Sequence, residues 1–419
     1  MRLVPLILLV ALLCATCAFA DGFPQYVFMN INPGQGWGQD NPDAMSPEWP
    51  REIAATLDLP PNPDLRLGIS YIFSLMETPV DQLAVSLRKL LAVCEEANMP
   101  LLITLDGQNW WTRRPDLWNW WDPDAAGYNP DNVYNVEWTS WDPKDAVKIS
   151  WRNWGSQIRV APCQNVFARP VMSELLGRYK VLIPIIADWY QALPADRKWL
   201  LRGVKLGWEA GIGYNAFYYP DGNSYLERWP DDPSHDPQHG LKLSEGLSGG
   251  CVQLGYSSLR AAGIKSSGEI TRDDLAKLTH EYLAVLCRKA HWLGLPKELI
   301  FTHMGGNYAP WDVHIPTWPA VNEWSTPGYS FYWQDPRGLG CFRQELAKAG
   351  RSEWAASEWW WPGQNAEEWR DHLECTLSFE DCQFLVVYNW NPNVFGKGLP
   401  GNEGLQQLFA TWRRPVTQP

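Results

Sequence analysis

The chain has 419 residues, a formal net charge of −12 and 27 tryptophans, with 45% hydrophobic and 20% charged residues. This balance excludes a disordered chain, a coiled coil and a collagen-like fibre. A net negative charge repels phosphate backbones, so we expect no nucleic-acid partner.

The N-terminus has the pattern of a secretory signal peptide. Arg2 precedes an apolar run over residues 3–13, and an A-x-A cleavage pattern ends at Ala20. We therefore expect cleavage near Ala20, which removes the signal peptide 1–20 and leaves a secreted or periplasmic chain of residues 21–419. The apolar run is too short to cross a bilayer and no later stretch is long enough, so we expect no membrane span.

Seven cysteines follow the signal peptide, and this odd number leaves at least one of them unpaired. Export permits disulfides, and Cys375 and Cys382 are the most plausible local pair. Cys94 and Cys287 lie within apolar helical patterns, so we predict that they are buried thiols.

Short apolar runs alternate with amphipathic helical patterns along the mature chain. In chain order, the predicted elements are strand 26–32, strand 65–73, helix 80–97, strand 101–106, helix 171–193, strand 204–209, helix 272–293, strand 299–304, strand 329–333, helix 338–349, strand 353–359, helix 366–377, strand 384–390 and helix 403–412. Thr271 is the predicted N-cap of the helix that follows strand four, because acidic residues occupy the first turn of that helix.

Eight strands that alternate with helices indicate parallel βαβ units, and eight is the number that closes a (β/α)8 barrel. We predict a single α/β domain over residues 21–419 with this TIM-barrel fold; an open doubly wound sheet is the alternative. Three long segments, 107–170, 210–257 and 305–327, follow strands three, four and five. They therefore lie on the C-terminal face, where barrel enzymes build their active sites.

Tryptophan is concentrated on this predicted face. Twenty of the 27 tryptophans lie in its loops or at strand ends, nine of them in residues 107–170. An indole ring packs well against the C–H face of a sugar, so the distribution predicts a sugar-binding cleft. The alternative is that most of these rings stiffen long loops.

Two glutamates stand at predicted strand ends. Glu209 closes strand four and Glu358 closes strand seven, and each opens an aromatic segment. Aromatic surroundings favour the neutral form of a carboxyl group, which suits a general acid. Either residue alone could equally be a salt-bridge partner, but the two positions together are more specific.

The pattern resembles clan A, the retaining glycoside hydrolases with catalytic glutamates after strands four and seven of a (β/α)8 barrel. The resemblance implies double displacement on a β-linked glycan, with Glu209 as acid/base and Glu358 as nucleophile. Trp390 and Tyr332 match an aromatic residue at the end of strand eight and a tyrosine near the end of strand six. One position departs from the pattern, because Trp208 stands where most members have asparagine.

Further side chains at strand ends and in the adjacent loops are candidates for contacting the sugar. The predicted substrate-binding residues are Asn32, Trp37, Asp106, Asn109, Trp110, Trp208, His303, Asn307, Tyr332, Trp333, Trp359 and Trp390. The polar ones are equally consistent with strand-end caps. We expect an oligosaccharide or polysaccharide substrate and no cofactor or metal; endo or exo action and the oligomeric state stay open.

Other motifs keep alternative functions open. Ser248 fits the G-x-S-x-G string of serine hydrolases, but neither a clear strand before it nor a helix after it is predicted. His235, Asp236 and His239 could bind a metal, although prolines make their segment a loop. A serine or metal hydrolase and a non-catalytic carbohydrate-binding barrel are therefore the alternatives to the glycosidase.

Overall fold

The computed structural model describes most of the chain. The described residues are 24–31, 38–108, 110–153, 157–211, 253–305, 317–333, 335–338 and 340–415. Several predictions lie outside them: the signal peptide, Asn32, Trp37, Asn109, Asn307, His235, Asp236, His239 and Ser248. No helix in the described part has the length and apolar character needed to cross a bilayer.

Eight parallel strands form the centre of the molecule. They are β1 (Gln25–Asn30), β2 (Leu65–Ser74), β3 (Leu101–Asp106), β4 (Leu201–Ala210), β5 (Ile300–Met304), β6 (Gly328–Tyr332), β7 (Glu353–Trp360) and β8 (Asp381–Val387). Each strand pairs with its neighbours in chain order, and β8 pairs with β1, so the sheet closes into a barrel. The predicted (β/α)8 barrel is confirmed and the open sheet is excluded.

Seven helices of nine or more residues accompany these strands in the described part of the chain. They are α1 (Glu48–Leu57), α2 (Val80–Ala97), α3 (Arg169–Ala192), α4 (Arg272–Trp292), α5 (Gly340–Lys348), α6 (Ala366–Leu377) and α7 (Pro400–Thr411). The predicted bounds of α2, β3 and α6 agree with the structure, and the other predicted elements differ by three residues or fewer at either end.

Helix α1 was missing from the predicted elements. Pro47 precedes it and Pro50 lies in its first turn, while Ile53 and Leu57 bury its inner face. Prolines read as helix breakers in a sequence, but the first turn has no intrahelical acceptors for its N–H groups and tolerates them. The apolar signal of ten residues was too short to outweigh the two prolines.

The predicted start of α4 is confirmed in detail. The backbone N–H of Asp274 donates to Thr271 Oγ1 at 3.2 Å, and the backbone N–H of Thr271 donates to Asp274 Oδ2 at 2.8 Å. This reciprocal pair is a capping box, which satisfies N–H groups that the first turn leaves without partners.

The barrel interior is apolar at its N-terminal end. An apolar interior cluster contains Tyr26, Phe28, Leu102, Phe301, Ala355, Phe384 and Val386. The rings of Phe301 and Phe384 lie 4.7 Å apart. Closer to the C-terminal end of the strands, the buried side chains become polar and include Lys205 and His303. The change of character positions a polar site at the C-terminal mouth.

A long insertion connects β3 to α3. It contains an antiparallel hairpin of Ser150–Asn153 with Gln157–Val160. Trp111 and Val136 form a separate small core with Met76, which follows β2. Several tryptophans of this insertion therefore stabilise the loop itself, as the alternative interpretation of the tryptophan surplus proposed.

A buried carboxylate ties the insertion to the segment before α4. Glu137 accepts hydrogen bonds from the backbone N–H groups of Gly255, Ser257 and Ser258 at 3.0–3.2 Å, and from the Ser258 hydroxyl. Burial raises the pKa of Glu137, and these four donors oppose that shift. Glu137 is thus one of the contacts that attach the insertion to the rest of the molecule.

The predicted disulfide between Cys375 and Cys382 is wrong, because both are free thiols. Cys375 Sγ donates to Asp335 Oδ1 at 2.9 Å, whereas Cys382 lies in β8 and its thiol meets Phe384 O at 3.4 Å. Short sequence separation suggested a pair that the three-dimensional arrangement of helix and strand does not form. Cys94 and Cys287 are buried thiols, as predicted.

Candidate active site

Strand β4 is irregular just before Glu209, which lies four residues after the inward-facing Lys205 and so on the same face of a strand. The register between β4 and β5 shifts between Leu206 and Ala210. Gly207 has a φ of +76°, and a Cβ at this position would lie 2.6 Å from Leu283 Cδ2. Glu209 has a φ of +48°, in the left-handed region that costs a non-glycine residue about 1–2 kcal/mol. The Glu209 side chain is almost fully buried, next to this strained backbone.

A β-bulge aims Glu358 into the barrel. Ala356 and Glu358 pair with consecutive residues of β6, so Ser357 is an extra residue in β7. Side chains alternate along a strand, and Ala355 belongs to the apolar interior cluster. Regular alternation would therefore turn Glu358 away from the interior. The bulge reverses the in-and-out alternation of side chains along β7, so Glu358 points inward and Trp359 points outward.

The prediction that Trp359 binds substrate is wrong. Trp359 is fully buried, its Nε1 donates to Thr376 Oγ1 at 2.9 Å, and its ring packs against Trp369 at 6.3 Å between centroids. Both contacts are with α6 on the outside of the barrel. The extra residue that causes this orientation is not visible in the sequence.

Ser330 and His303 connect the two glutamates. The Ser330 hydroxyl donates to Glu209 Oε1 at 3.0 Å, so it accepts from His303 Nε2, which also lies at 3.0 Å. His303 Nε2 is 3.7 Å from Glu358 Oε2. The imidazole thus lies between the two carboxyl groups, and the sequence had pointed to His303 but not to Ser330.

His303 is uncharged in this setting. It is completely buried, and burial together with the positive charge of Lys205 lowers its pKa well below the ordinary value of 6.5. A neutral imidazole with its proton on Nε2 agrees with donation to Ser330. His303 therefore provides a hydrogen-bond donor between the carboxyl groups but adds no positive charge to that of Lys205.

Tyr332 supports Glu358 directly. Its hydroxyl donates to Glu358 Oε1, and this contact joins the residue that the resemblance matched on strand six to the predicted nucleophile. A hydrogen bond to a carboxylate stabilises the ionised form. Glu358 is 6% exposed and Glu209 is 3% exposed, so both carboxyl groups are largely shielded from water.

Lys205 is a site residue that the sequence interpretation missed. It is 1% exposed, and its Nζ donates to Ser357 O at 2.7 Å, at the bulge that aims Glu358. Burial lowers the pKa of Lys205 to about 8, and the charges of Glu358 and Glu209 oppose that shift. A lysine within an otherwise buried strand, four residues before Glu209, was the available signal, since lysine is almost never buried without a partner.

An aromatic rim borders the Glu358 side of the mouth. We use this name for Tyr332, Trp333, Trp360 and Tyr388. Trp333 is 63% exposed, and the ring of Tyr388 lies 6.1 Å from Tyr332 and 5.5 Å from Trp360. Tyr388 follows β8 and was not among the predicted residues. Exposed rings beside buried carboxyl groups provide a surface for the apolar face of a sugar.

The predicted Trp390 lies beyond this rim. It is half-buried, and its ring stacks on Phe395 with centroids 6.0 Å apart and an interplanar angle of 14°. Its backbone N–H donates to Asn30 O at 2.8 Å. Strand β8 ends at Val387, three residues earlier than predicted, so Tyr388 occupies the strand-end position that the sequence interpretation gave to Trp390.

The remaining predicted residues are less informative. Asp106 is buried at the end of β3, where its Oδ1 accepts from the backbone N–H of Gln108 at 2.9 Å. Trp110 is half-buried at the start of the insertion. The backbone of Trp208 belongs to β4, but its side chain lies outside the described part. Across the described residues, no three His, Cys, Asp or Glu side chains group as a metal ion would require.

No protein-family model matches this chain, and no curated protein is similar to it in sequence. Among similar solved structures is an exo-beta-1,4-mannosidase from Opitutaceae bacterium strain TAV5, with 14% identity and a TM-score of 0.43 over 94% of this chain. This chain spans 60% of that protein's length.

Two further similar structures have comparable scores. A GH5_18 protein from Bifidobacterium longum is 13% identical with a TM-score of 0.46, over 95% of this chain and 82% of the other. The catalytic domain of a GH26 endo-beta-1,4-mannanase from Bacillus sp. JAMB-750 is 10% identical with a TM-score of 0.40, over 93% and 86%. At these values the likeness identifies no activity.

Proposed function

We propose that this protein is a glycoside hydrolase that cleaves a β-linked glycan with retention of configuration. The observation that supports this proposal is the pair of buried carboxyl groups, Glu209 and Glu358. Both lie at the barrel mouth, Glu358 because of the bulge in β7, and Ser330 and His303 link them. Two carboxyl groups at one site are what acid-catalysed glycoside cleavage requires.

The hydrogen bonds favour different roles for the two carboxyl groups. Glu358 accepts from the Tyr332 hydroxyl, which stabilises the carboxylate that a nucleophile must present. Glu209 accepts from the Ser330 hydroxyl through Oε1, and a serine hydroxyl is a weaker donor than the phenol of Tyr332, so this contact stabilises the carboxylate less. This division agrees with the roles that the clan A resemblance implies.

In the proposed reaction, Glu358 attacks the anomeric carbon while Glu209 protonates the leaving oxygen, and a glycosyl ester forms on Glu358. Water then attacks the same carbon, its proton passes to Glu209, and the sugar leaves with its original configuration. This route requires carboxyl groups roughly 5–5.5 Å apart, because a separation of about 6.5–9.5 Å admits water for inversion.

The first experiment is a panel of plant, algal and bacterial β-linked polysaccharides with wild type, Glu209→Ala and Glu358→Ala. Sugar release by wild type and its loss in both variants is the expected result. On an aryl β-glycoside whose phenolate leaves without a proton, azide should restore turnover in both variants: it should yield an α-glycosyl azide with Glu358→Ala and a β-glycosyl azide with Glu209→Ala. Unchanged release in both variants would overturn the two-glutamate mechanism.

A second experiment addresses stereochemistry. Proton NMR in the first minutes of hydrolysis identifies the anomer of the product before it mutarotates. Retention predicts that the β-anomer appears first. An initial α-anomer would instead establish inversion and remove the covalent intermediate from the proposal.

The alternative is a carbohydrate-binding barrel without turnover. Trp208, at the position where most clan A members have asparagine, favours this alternative because the asparagine amide is replaced by an apolar ring. Isothermal titration with the same glycans distinguishes the two, since binding without sugar release would support the non-catalytic barrel.

We also propose that the protein is exported. The support is the basic start, the apolar run and the A-x-A pattern of residues 1–20. N-terminal sequencing of the protein from the periplasm or medium should begin at Asp21. Recovery of only the uncleaved chain from the cytoplasm would contradict export.

A further inference from the structure

Lys205 is the one buried lysine among the described residues, and it lies under the candidate active site. It pairs in register with Thr104 of β3 and with Phe301 of β5, whose ring belongs to the apolar interior cluster. From that layer its Nζ reaches Ser357 O at 2.7 Å. The ammonium therefore lies between the apolar base of the barrel and the carboxyl groups.

Burial of a lysine at this position is unfavourable unless other interactions stabilise its charge. Removing an ammonium from water costs several kcal/mol unless anions and hydrogen bonds replace its hydration. An apolar side chain of similar length would continue the interior cluster without that cost. The compensation here comes from Glu358 and Glu209, both of which stabilise the charged form of Lys205.

We propose that Lys205 is a positioning residue whose ammonium keeps the Glu358 carboxyl group ionised and whose hydrogen bond to Ser357 holds the bulge that aims it. The effect is reciprocal, because a cation that lowers the energy of a carboxylate is stabilised by that carboxylate equally. The catalytic consequence rests on the proposed glycosidase function, but the electrostatic coupling does not.

Other ionisable groups share this environment and enter any titration of it. The ionisable side chains at or near the C-terminal ends of these strands are Asp106 on β3, Glu209 on β4, His303 on β5, Tyr332 on β6 and Glu358 on β7. His303 is neutral, since burial and Lys205 both lower its pKa. The positive charge of the site therefore comes from Lys205. Replacing Lys205 by a neutral residue removes that charge from beside the carboxyl groups.

The decisive test measures the ionisation of Glu358 without any substrate. Protein labelled with carbon-13 at the glutamate carboxyl is titrated by NMR, and the Glu358 signal is assigned by its absence in Glu358→Gln. Lys205→Met removes both the charge and the donor to Ser357, whereas Lys205→Gln keeps an N–H donor and removes only the charge. We expect the apparent pKa of Glu358 to rise by about one unit or more in both variants.

Arg202→Gln is the matched control. Arg202 is a second buried cation on β4, but its guanidinium lies over Phe301 at the N-terminal end of the interior, with Gln383 Oε1 2.8 Å from its Nη2. Loss of this cation should lower stability and leave the Glu358 titration unchanged. A Glu358 titration that is unchanged in Lys205→Gln but shifted in Lys205→Met would reduce Lys205 to a hydrogen-bond donor and overturn the electrostatic proposal.

A second measurement avoids Lys205 variants, which could fold poorly. In protein labelled with nitrogen-15 lysine, Lys205 should lose its proton at lower pH in Glu358→Gln than in wild type, because one stabilising anion is gone. An identical Lys205 titration in the two proteins would overturn the proposal.

Kinetics then separate this inference from the proposed function. If wild type hydrolyses a glycan, the acidic limb of kcat/KM against pH should move to higher pH in Lys205→Gln, in parallel with the Glu358 titration. If wild type hydrolyses none, the two NMR experiments still decide the coupling between Lys205 and Glu358. A shifted titration with an unshifted acidic limb would overturn the catalytic consequence.

Discussion

At the scale of single residues, the site is a set of short contacts around two carboxyl groups. Tyr332 and Ser330 donate to Glu358 and Glu209 respectively, and His303 lies between them. Each of these contacts involves a buried group. If one partner is removed, the other is left without a hydrogen bond in a place that water does not reach, which is energetically unfavourable.

Tyr332→Phe removes the hydroxyl that donates to Glu358 and keeps the ring. Hydrogen bonds to charged groups contribute about 1.5–3 kcal/mol, so we expect kcat/KM to fall roughly 10- to 100-fold. Tyr329→Phe is the matched control on the same strand, because its hydroxyl donates to Thr317 O at 2.8 Å outside the barrel. Equal losses in the two variants would show a general effect of the missing hydroxyl.

His303 makes stability depend on pH. Its pKa is lowered by burial and by Lys205 in the folded state, so below about pH 6.5 the unfolded chain binds a proton that the folded chain does not. The free energy of unfolding should therefore decrease as the pH falls, by at most about 1.4 kcal/mol per pH unit from this group.

Urea unfolding at pH 5 and pH 7 measures this dependence in wild type and His303→Gln. The variant should lose less stability between the two pH values than wild type does. An equal or larger loss in the variant would mean that other groups account for the acid sensitivity.

At the scale of elements, strand irregularities decide which side chains enter the mouth. Strand β4 changes its register with β5 after Leu206, where Gly207 has a positive φ, and β7 gains one residue at Ser357. Regular strands would have kept strict alternation and changed the orientation of Glu358.

Gly207→Ala should disturb both stability and activity. Its Cβ would meet Leu283 at 2.6 Å, and its φ of +76° is unfavourable for alanine. Gly268→Ala has the same backbone strain, with a φ of +78°, but nothing lies within 4 Å of its Cβ. We expect about 1 kcal/mol of destabilisation from Gly268→Ala and a larger loss, with reduced kcat, from Gly207→Ala. Equal losses of stability and kcat in the two variants would show that the contact with Leu283 is unimportant.

At the scale of the whole molecule, Glu137 connects the β3–α3 insertion to the segment that precedes α4. Glu137→Ala leaves three backbone N–H groups and one hydroxyl without their acceptor, in a site that excludes water. Each unsatisfied donor costs about 1–3 kcal/mol, so the insertion should detach before the barrel unfolds.

Limited proteolysis tests this expectation. Glu137→Ala should be cut within the insertion at protease concentrations that leave wild type intact, while the barrel fragments remain folded. Asp131→Ala, an exposed acid of the same insertion, should behave as wild type does. Cleavage spread evenly along the chain would mean that Glu137 stabilises the whole molecule instead.

Much of the fold was predictable because it depends on local patterns. The helical spacing of apolar residues gave the bounds of α2 and α6, and the capping box at Thr271 and Asp274 marked the start of α4. Helix α1 escaped prediction because two prolines dominated its short pattern. The carboxyl groups were predictable as well, since each closes a strand whose neighbours are apolar or small.

The sequence by itself determined the number and order of the strands, and with them the mouth at which Glu209 and Glu358 lie. Periodicity and chain order are local properties, and eight parallel strands leave few ways to close a sheet. Only the tertiary structure decided which way the strand-end side chains point, because bulges arise from pairing between strands that are distant in sequence. It sent Trp359 to the outside, brought Tyr388 to the rim, and placed the ammonium of Lys205 beneath the carboxyl groups.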